Sequence, residues 1–369
     1  MKREGVIVHQ ETLPAVQCAA DGYVDVMFTL PVLDKGVEYT IDFEASCMMY
    51  DLLNPGKLQS VKVAIEQFVL QPYDFTPTTP VGTIEVERGD DWLVAYAGDT
   101  GILFNTKSGN VARYVAGGKD IMLQLPEPWF WRAMTDNDWG AGFQRTANVW
   151  RTNRRKALGA EVEVYADRVV VRGEFYLVDA PSHYTQTYIF RADGSLQVEV
   201  AWKGDGEYVP ELPRFGMRMI LPADYKCFTY YGRGPWENYS DRCESSFIGR
   251  YEQSTDEQLF PYVRPQESGN KTDVRWLELT DERGVGIRVE GLQPLSVSAM
   301  PYRSEDLDPG MTKKQMHYSD IEPRREVVLH VDLAQRGLGG DTSWGATPHD
   351  EYRLTSDKYS YGYIIHPIY

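Results

Sequence analysis

Basic residues are in short supply. The chain has 38 lysines and arginines against 54 aspartates and glutamates, a formal net charge of −16. That balance excludes nucleic acid and anionic membranes as main partners, since a binder of phosphate backbones needs a basic stripe. The one dense basic run, RTNRRK from Arg151 to Lys156, reads as a solvated surface. Cysteine is almost absent. Cys18, Cys47, Cys227 and Cys243 form no CxxC pair and no Cys/His cluster, so no zinc site is expected. Cys47 falls on the apolar side of a strand pattern and is expected to be a buried free thiol. No apolar run reaches the roughly 18 residues of a membrane-spanning helix. The opening MKREGVIVHQ lacks the apolar core of a signal peptide and shows no starting element, so the chain is expected to be a piece of something longer.

Catalytic signatures are equally sparse. None of the six histidines (His9, His183, His317, His330, His349 and His366) has HxxxH or HExxH spacing. His330 falls on the polar side of its strand, and each of the six reads as structural or solvated. There is no GxSxG elbow, P-loop or dinucleotide fingerprint. TDNDWGAG, Thr135 to Gly142, resembles a calcium loop at first sight. Its glycine stands at the fifth position and no glutamate follows at the twelfth. A turn whose Asp and Asn side chains bond the local backbone is the better reading.

What the sequence has in abundance is alternation. Val37, Tyr39, Ile41, Phe43, Ala45 and Cys47 are separated by polar residues, a half-buried strand of period two. YVDVMFTL (23–30) before it and VKVAIEQFVL (61–70) after it are further strand candidates. The proline- and threonine-rich QPYDFTPTTP, Gln71 to Pro80, suits an extended connector. This places a small β-sandwich at 1–73, a linker at 74–82 and a large domain at 83–369. In the large domain, EVEVYADRVVVRGEFYL predicts two strands turning at Ala166-Asp167, and Asp193-Gly194 predicts a hairpin turn. Val327 to Leu333 and Tyr359 to Ile365 alternate again. RTANVWRTNRRKAL is the best short helix candidate. So many strands in one block imply a large antiparallel sandwich, hence an all-β chain.

Two carboxylates, Glu237 in GPWENYSDR and Glu267 in RPQESGN, lie in predicted loops beside aromatics. A glycosidase pair and buried anchors bonded to backbone amides look alike at this level, and the anchor reading is favoured. The 9 tryptophans and 24 tyrosines include several near Gly, Asn and Asp in predicted loops: Trp129, Trp131, Trp139, Trp236 and Trp344. Rings so placed can stack on sugar faces, although core packing explains most of them. Trp344, in GLGGDTSWGATPHDEY, is the best exception, because its loop is built of glycines and polar residues.

Five segments carry a resemblance: PWFWRAMTDNDWGAGF (128–143), YYGRGPWENYSDR (230–242), PYVRPQESGNKTDVRW (261–276), SAMPYRSEDLD (298–308) and GLGGDTSWG (337–345). In this order they resemble the C-terminal domain of β-galactosidases of glycoside hydrolase family 2, over about Thr83 to Tyr369. The one local departure is Met134, where the family typically has Pro or Thr.

The resemblance implies a galactose-mutarotase-like supersandwich preceded by an immunoglobulin-like sandwich. It places the two catalytic glutamates on a barrel N-terminal to both domains, so no catalytic residue lies in this chain. It likewise places a divalent cation and sodium on that absent barrel, with no cofactor or metal here. It implies Trp344 as the ring that stacks on the sugar, with Asp341 and Ser343 shaping and bracing the loop. The implied partners are the barrel, whether of the same full-length chain or of a large subunit, and a galactoside substrate, in an oligomeric enzyme. Small subunits of split enzymes generally lack the immunoglobulin-like block, so a truncated chain is the expected origin. Two other functions stay open: a stand-alone carbohydrate-binding module, and an aldose epimerase that would have to use His183 and His317. The sequons at Asn238 and Asn270 lie inside family motifs and are expected to be unused. The compartment stays undetermined.

Overall fold

The computed structural model describes residues 1–369 apart from Leu52, Asn153, Glu207, Gln315, Ser343 and Trp344. The chain forms two compact units, Met1–Asp74 with Ile248–Arg250, and Phe75–Phe247 with Tyr251–Tyr369. Both are built from antiparallel strands, and the few helices are short.

The described strands of the small unit make one sheet, in the order Val6–Ile7, Lys2–Arg3, Tyr39–Tyr50, Leu58–Gln71. The long hairpin follows from the alternation: Ile41 pairs Phe68, Ala45 pairs Ala64 and Cys47 pairs Val61, so apolar residues share one face. A bulge between the Ala45 and Ser46 pairs places Val63 outside the register. One layer of a sandwich is therefore present. The segment 23–30, which alternates like a strand, carries no strand here. Cys47, expected to be buried, is exposed. The sequence correctly puts its side chain on the apolar face, but little covers that face.

The large unit has a five-stranded sheet over Glu85–Asp120 and a twelve-stranded sheet. The main path of the latter runs Gln124–Trp129, Arg214–Pro222, Glu326–Gln335, Gly286–Met300, Lys358–Ile368, Leu196–Gly204, Ser182–Arg191, Arg168–Leu177, Arg155–Val164. Both sheets contribute to one hydrophobic core, which joins Leu93, Ile102, Phe104 and Tyr114 to Val171, Phe190, Met217, Leu329 and Tyr363. The two hairpins read from the sequence form as expected, with Gly194 at φ +78° in the second turn.

Two local expectations are corrected. RTANVWRTNRRKAL gives only a helical turn and the 3₁₀ turn Asn148–Arg151 before a strand begins at Arg155. Trp150, within that turn, is sunk into the core. TDNDWGAG is a short helix, Asp136–Ala141, rather than a turn. The side chain–backbone bonding expected there is its N-terminal capping box. The Asp138 N–H donates to Thr135 Oγ1 (3.2 Å), and the Thr135 N–H donates to Asp138 Oδ2 (3.0 Å).

The adjacent strands Arg214–Pro222 and Glu326–Gln335 are buried on both faces. One face carries Met217, Met219, Leu329 and Val331 into the shared core. The other pairs Gly216 with Asp332 and Arg218 with His330, so polar groups line it.

Candidate functional site

The glycine-rich segment starts where the strand Glu326–Gln335 ends, and two distant motifs converge on its base. Asp241 Oδ2 accepts the N–H groups of Leu338 (2.6 Å) and Gly339 (3.1 Å). Arg132 donates to the carbonyl of Gly337 (3.0 Å) and to that of Arg336. The Gly337 N–H donates to the carbonyl of Tyr352 (2.8 Å). The segment also lies so close to the short helix that side chains would not fit. A Cβ on Gly339 would strike Asn137, and one on Gly345, which is at φ +91°, would come within 2.5 Å of Gly140.

Arg132 and Asp138 are fully buried and form a forked pair, with Nη2–Oδ1 at 2.9 Å and Nε–Oδ2 at 3.2 Å. Arg336 adds a second cation to Asp138 (3.0 Å) and reaches Glu211 (2.6 Å), which also pairs with Arg353 (2.9 Å). Alternating charges with forked geometry are what make such burial tolerable. The chain of ion pairs locks the helix, the end of the strand and the loop base into one piece.

Asp341 is exposed, and its Oδ1 lies 3.0 Å from His349 Nε2. That contact ties the outgoing and returning arms of the loop, and hydrogen bonding to the carboxylate raises the His349 pKa. Ser343 and Trp344, the other two residues expected to act here, lie outside the described residues.

The two carboxylates weighed as an acid–base pair are filled by donors. Glu237 Oε2 accepts from the Gly269 N–H (2.8 Å) and Ser268 Oγ (3.2 Å), while Oε1 takes Arg242 Nη2 (2.6 Å) and the Tyr262 hydroxyl. Glu267 is buried between Arg214 Nη2 (2.9 Å) and Gln335 Nε2 (3.0 Å). Glu237 anchors loop to loop, and Glu267 anchors its loop to the ends of the strands Arg214–Pro222 and Glu326–Gln335. Asn238 and Asn270 are buried in the same network: Asn270 Nδ2 donates to the Asn238 carbonyl (2.9 Å), and Asn238 Oδ1 accepts the Thr272 N–H (2.8 Å). In the fold neither asparagine is accessible to glycosylation.

The polar sheet face behind these loops holds groups that sequence reasoning missed. Arg214 Nε lies 2.9 Å from Asp332 Oδ2 but off the line of a hydrogen bond. Burial outweighs that cation and pushes the Asp332 carboxyl up to about 8. His330 is buried too, and desolvation, with Arg214 and Arg218 nearby, drives its pKa well below the ordinary value. Arg218 stacks on the Trp129 ring at 3.5 Å and pairs with Glu127 (2.7 Å). His183 and His317, which an epimerase reading would need, are both exposed, and the His183 ring packs on Tyr176. Among the described residues, no group of three or more His, Cys, Asp or Glu side chains could hold a metal ion.

Arg132 and Asp241 were visible in the sequence only as charges inside aromatic motifs, Asp138 as part of a turn bonding its own backbone, and Arg336 as a charge just before the glycine-rich segment. A charged residue following PWFW was the one available sign that Arg132 would be buried.

A family model described as the β-galactosidase small chain matches residues 97–365. The chain belongs to the β-galactosidase small-chain family. The β-galactosidase of Priestia megaterium is 30% identical over 312 residues, covering 83% of this chain and 30% of that protein. That of Lactobacillus delbrueckii subsp. bulgaricus is 35% identical over 262 residues, covering 70% and 25%. That of Vibrio cholerae is 28% identical over 377 residues, covering 97% and 35%. This small-chain family member thus spans about a quarter to a third of the length of these relatives. A galactose mutarotase related enzyme from Lactobacillus acidophilus aligns at TM-score 0.37 and 7% identity, over 78% of this chain and 97% of that one, too slight a likeness to carry weight.

Proposed function

We propose that this chain is the non-catalytic C-terminal part of a β-galactosidase that hydrolyses terminal β-D-galactosides such as lactose. In this reading it completes the substrate pocket through the loop around Trp344, whose indole stacks on the sugar, and it supports assembly with a catalytic barrel. The barrel belongs either to the same longer polypeptide or to a large subunit. The chemistry and any cation bound for it are the barrel's, and Asp341 and Ser343 brace the loop.

The observation that carries this reading is the clamp on the loop base within a β-galactosidase small-chain domain. Arg132 and Asp241 fix the backbone from Arg336 to Gly339, while Asp341 beyond it reaches solvent. A pocket-completing loop needs that combination of a held base and a presented tip.

The experiment has two arms. This chain alone is expected to leave a chromogenic β-galactoside uncleaved, and robust turnover would refute the non-catalytic assignment. Trp344→Ala in the full-length enzyme is expected to raise KM with the fold intact, and unchanged kinetics would remove Trp344 from the pocket. One stacked ring contributes roughly 1–3 kcal/mol by analogy with base stacking, which corresponds to about 5–150-fold in affinity.

A further inference from the structure

We propose that Arg214 is shared by two buried carboxyl groups, and that proton loss from Asp332 in mildly alkaline solution draws its guanidinium away from Glu267 and loosens the loop around that residue. The lock itself stands on the geometry of these side chains. Its effect on galactoside binding rests on the function proposed above.

Arg214, Glu267 and Asp332 are all buried. Arg214 Nη2 donates to Glu267 Oε1 (2.9 Å), and Gln335 Nε2 donates to the same oxygen (3.0 Å). Glu267 is thus the carboxylate that the cation serves. Neither oxygen of Asp332 accepts a hydrogen bond from a described residue, although Arg214 Nε stands 2.9 Å from Oδ2. Arg214 Nε and Nη1 have no acceptor among the described residues either. Unmet donors therefore face unmet acceptors at contact distance. A rotation of the guanidinium joins them into a forked pair, the geometry that suits arginine and a carboxylate. Two arrangements compete for one cation, as a two-state element requires.

Room for the second arrangement is built into the sheet. Gly216 lies opposite Asp332 in the ladder, and a Cβ there would come within 1.7 Å of Asp332 Oδ1. Ser296, the residue opposite Asp332 on the other side, carries no charge.

The proton on Asp332 selects between the two. With Asp332 neutral, one cation meets one carboxylate. With Asp332 ionised, two buried anions claim the same arginine. The other groups around it do not relieve that conflict. Arg218 is taken by Glu127 (2.7 Å) and Glu305 (2.8 Å). Burial and the two arginines keep His330 uncharged, and burial raises the Tyr361 and Tyr363 hydroxyls well above their usual range. Burial, with the Glu267 charge adding to it, holds the Asp332 carboxyl at about 8 against the pull of Arg214. The lock is accordingly closed on the acid side and opens as pH rises through that value.

The released loop adjoins the clamp described above. The Glu267 N–H donates to the carbonyl of Ala133 (3.2 Å), the residue after Arg132. Gln335, which holds Glu267 and also Asn270 (3.0 Å), immediately precedes Arg336. Both arginines of the loop base therefore lie one residue from the lock.

The test is an NMR titration of this chain labelled with ¹³C at the aspartate and glutamate carboxyl carbons. Ordinary carboxyls finish titrating below about pH 6. One aspartate is expected to titrate between about pH 6.5 and 9.5, with one glutamate resonance moving at the same midpoint. Asp332→Asn is expected to abolish both movements. Glu267→Gln frees Arg214 for Asp332 and is expected to lower the aspartate midpoint by about one pH unit or more. A midpoint unchanged in Glu267→Gln overturns the sharing. Should that variant not fold, the wild-type titration decides: no aspartate titrating in the window, or one that titrates without a glutamate following it, overturns the proposal. The full-length enzyme is read separately. Its KM for a galactoside is expected to rise across the same midpoint, and not in Asp332→Asn. Coupled titration with no such rise in KM leaves the lock standing and counts against the proposed pocket role of the loop.

Discussion

The strands Leu58–Gln71 and Glu326–Gln335 are both rich in Val and Leu, and both belong to long antiparallel ladders. The first is largely exposed, and the second is buried along nearly its whole length. The difference lies in what covers each face. In the large unit one side of the sheet meets the shared core and the other is roofed by the motif loops, so even His330 and Asp332 are buried. In the small unit Phe28 packs on that face at Phe43, and among the described residues the strand Leu58–Gln71 stays largely exposed. Alternation decides which side chains share a face. A second layer has to be supplied before that face becomes a core.

The sharpest way to break this comparison is to cut the ion pairs that seal the roof. Arg132→Ala leaves Asp138 buried beside a single remaining arginine. It is expected to cost the large unit about 3–5 kcal/mol in urea unfolding, because Asp138 loses its forked partner and Arg336 alone is left to offset a fully buried charge. Amide exchange in the small unit is expected to stay as it was, and loss of both units together would show that they do not unfold separately. A matched pair of truncations comes next. Leu329→Ala, in the shared core, is expected to cost roughly 2–5 kcal/mol, and Met49→Ala, on the open face, under about 0.5 kcal/mol. Similar losses at the two positions would mean that the small unit's face is already covered in solution.

Asp332 tests the polar side of the same contrast. Its folded-state pKa is raised from 3.8 to about 8 by burial, so its contribution is fully present below pH 3.8 and is lost as pH rises toward 8. The slope from one proton is at most about 1.4 kcal/mol per pH unit. Asp332→Asn is expected to flatten the stability profile of the large unit across that window. The facing Arg214, Glu267, Tyr361 and Tyr363 are left in place. His330 titrates in the opposite sense on the acid side, since its depressed pKa costs stability only as pH falls. A variant profile that keeps the wild-type slope would assign the titration to another group. The last expected effect is local. Gly339→Ala must push Asn137 aside and is expected to cost about 1–3 kcal/mol, read as faster amide exchange at Leu338 and Gly339 with little change at the sheet centre.

The parts legible in the sequence were those with short-range causes. The hairpins at Ala166-Asp167 and Asp193-Gly194 form where turn chemistry and alternation place them. The strands around Val327 and Tyr359 form as well. TDNDWGAG was legible as a site of side chain–backbone bonding but not as a helix, because a capping box and an Asx turn draw on the same residues. RTANVWRTNRRKAL failed because Arg155 pairs with Leu177 in a ladder, which outweighs weak helical periodicity. At the loop, the glycines were legible only as setting Trp344 apart from the core tryptophans. Their reason lies in Asn137 and Gly140, residues about two hundred positions earlier in the chain.

By itself the sequence determined the all-β class, the faces of most strands and, through five ordered motifs, the family. These rest on local geometry: a period of two, a turn dipeptide, a spacing. The tertiary structure decided which polar residues would be buried and which apolar ones left open. Arg132, Asp138, Arg214 and Asp332 are charged residues that belong in water unless partners meet them, and the partners include residues far away in the chain: Arg336 for Asp138, and Glu267 and Asp332 for Arg214. Cys47 and Phe68 are apolar residues that belong in a core, and among the described residues they stay exposed. Burial depends on what arrives from elsewhere, and a linear pattern does not contain that information.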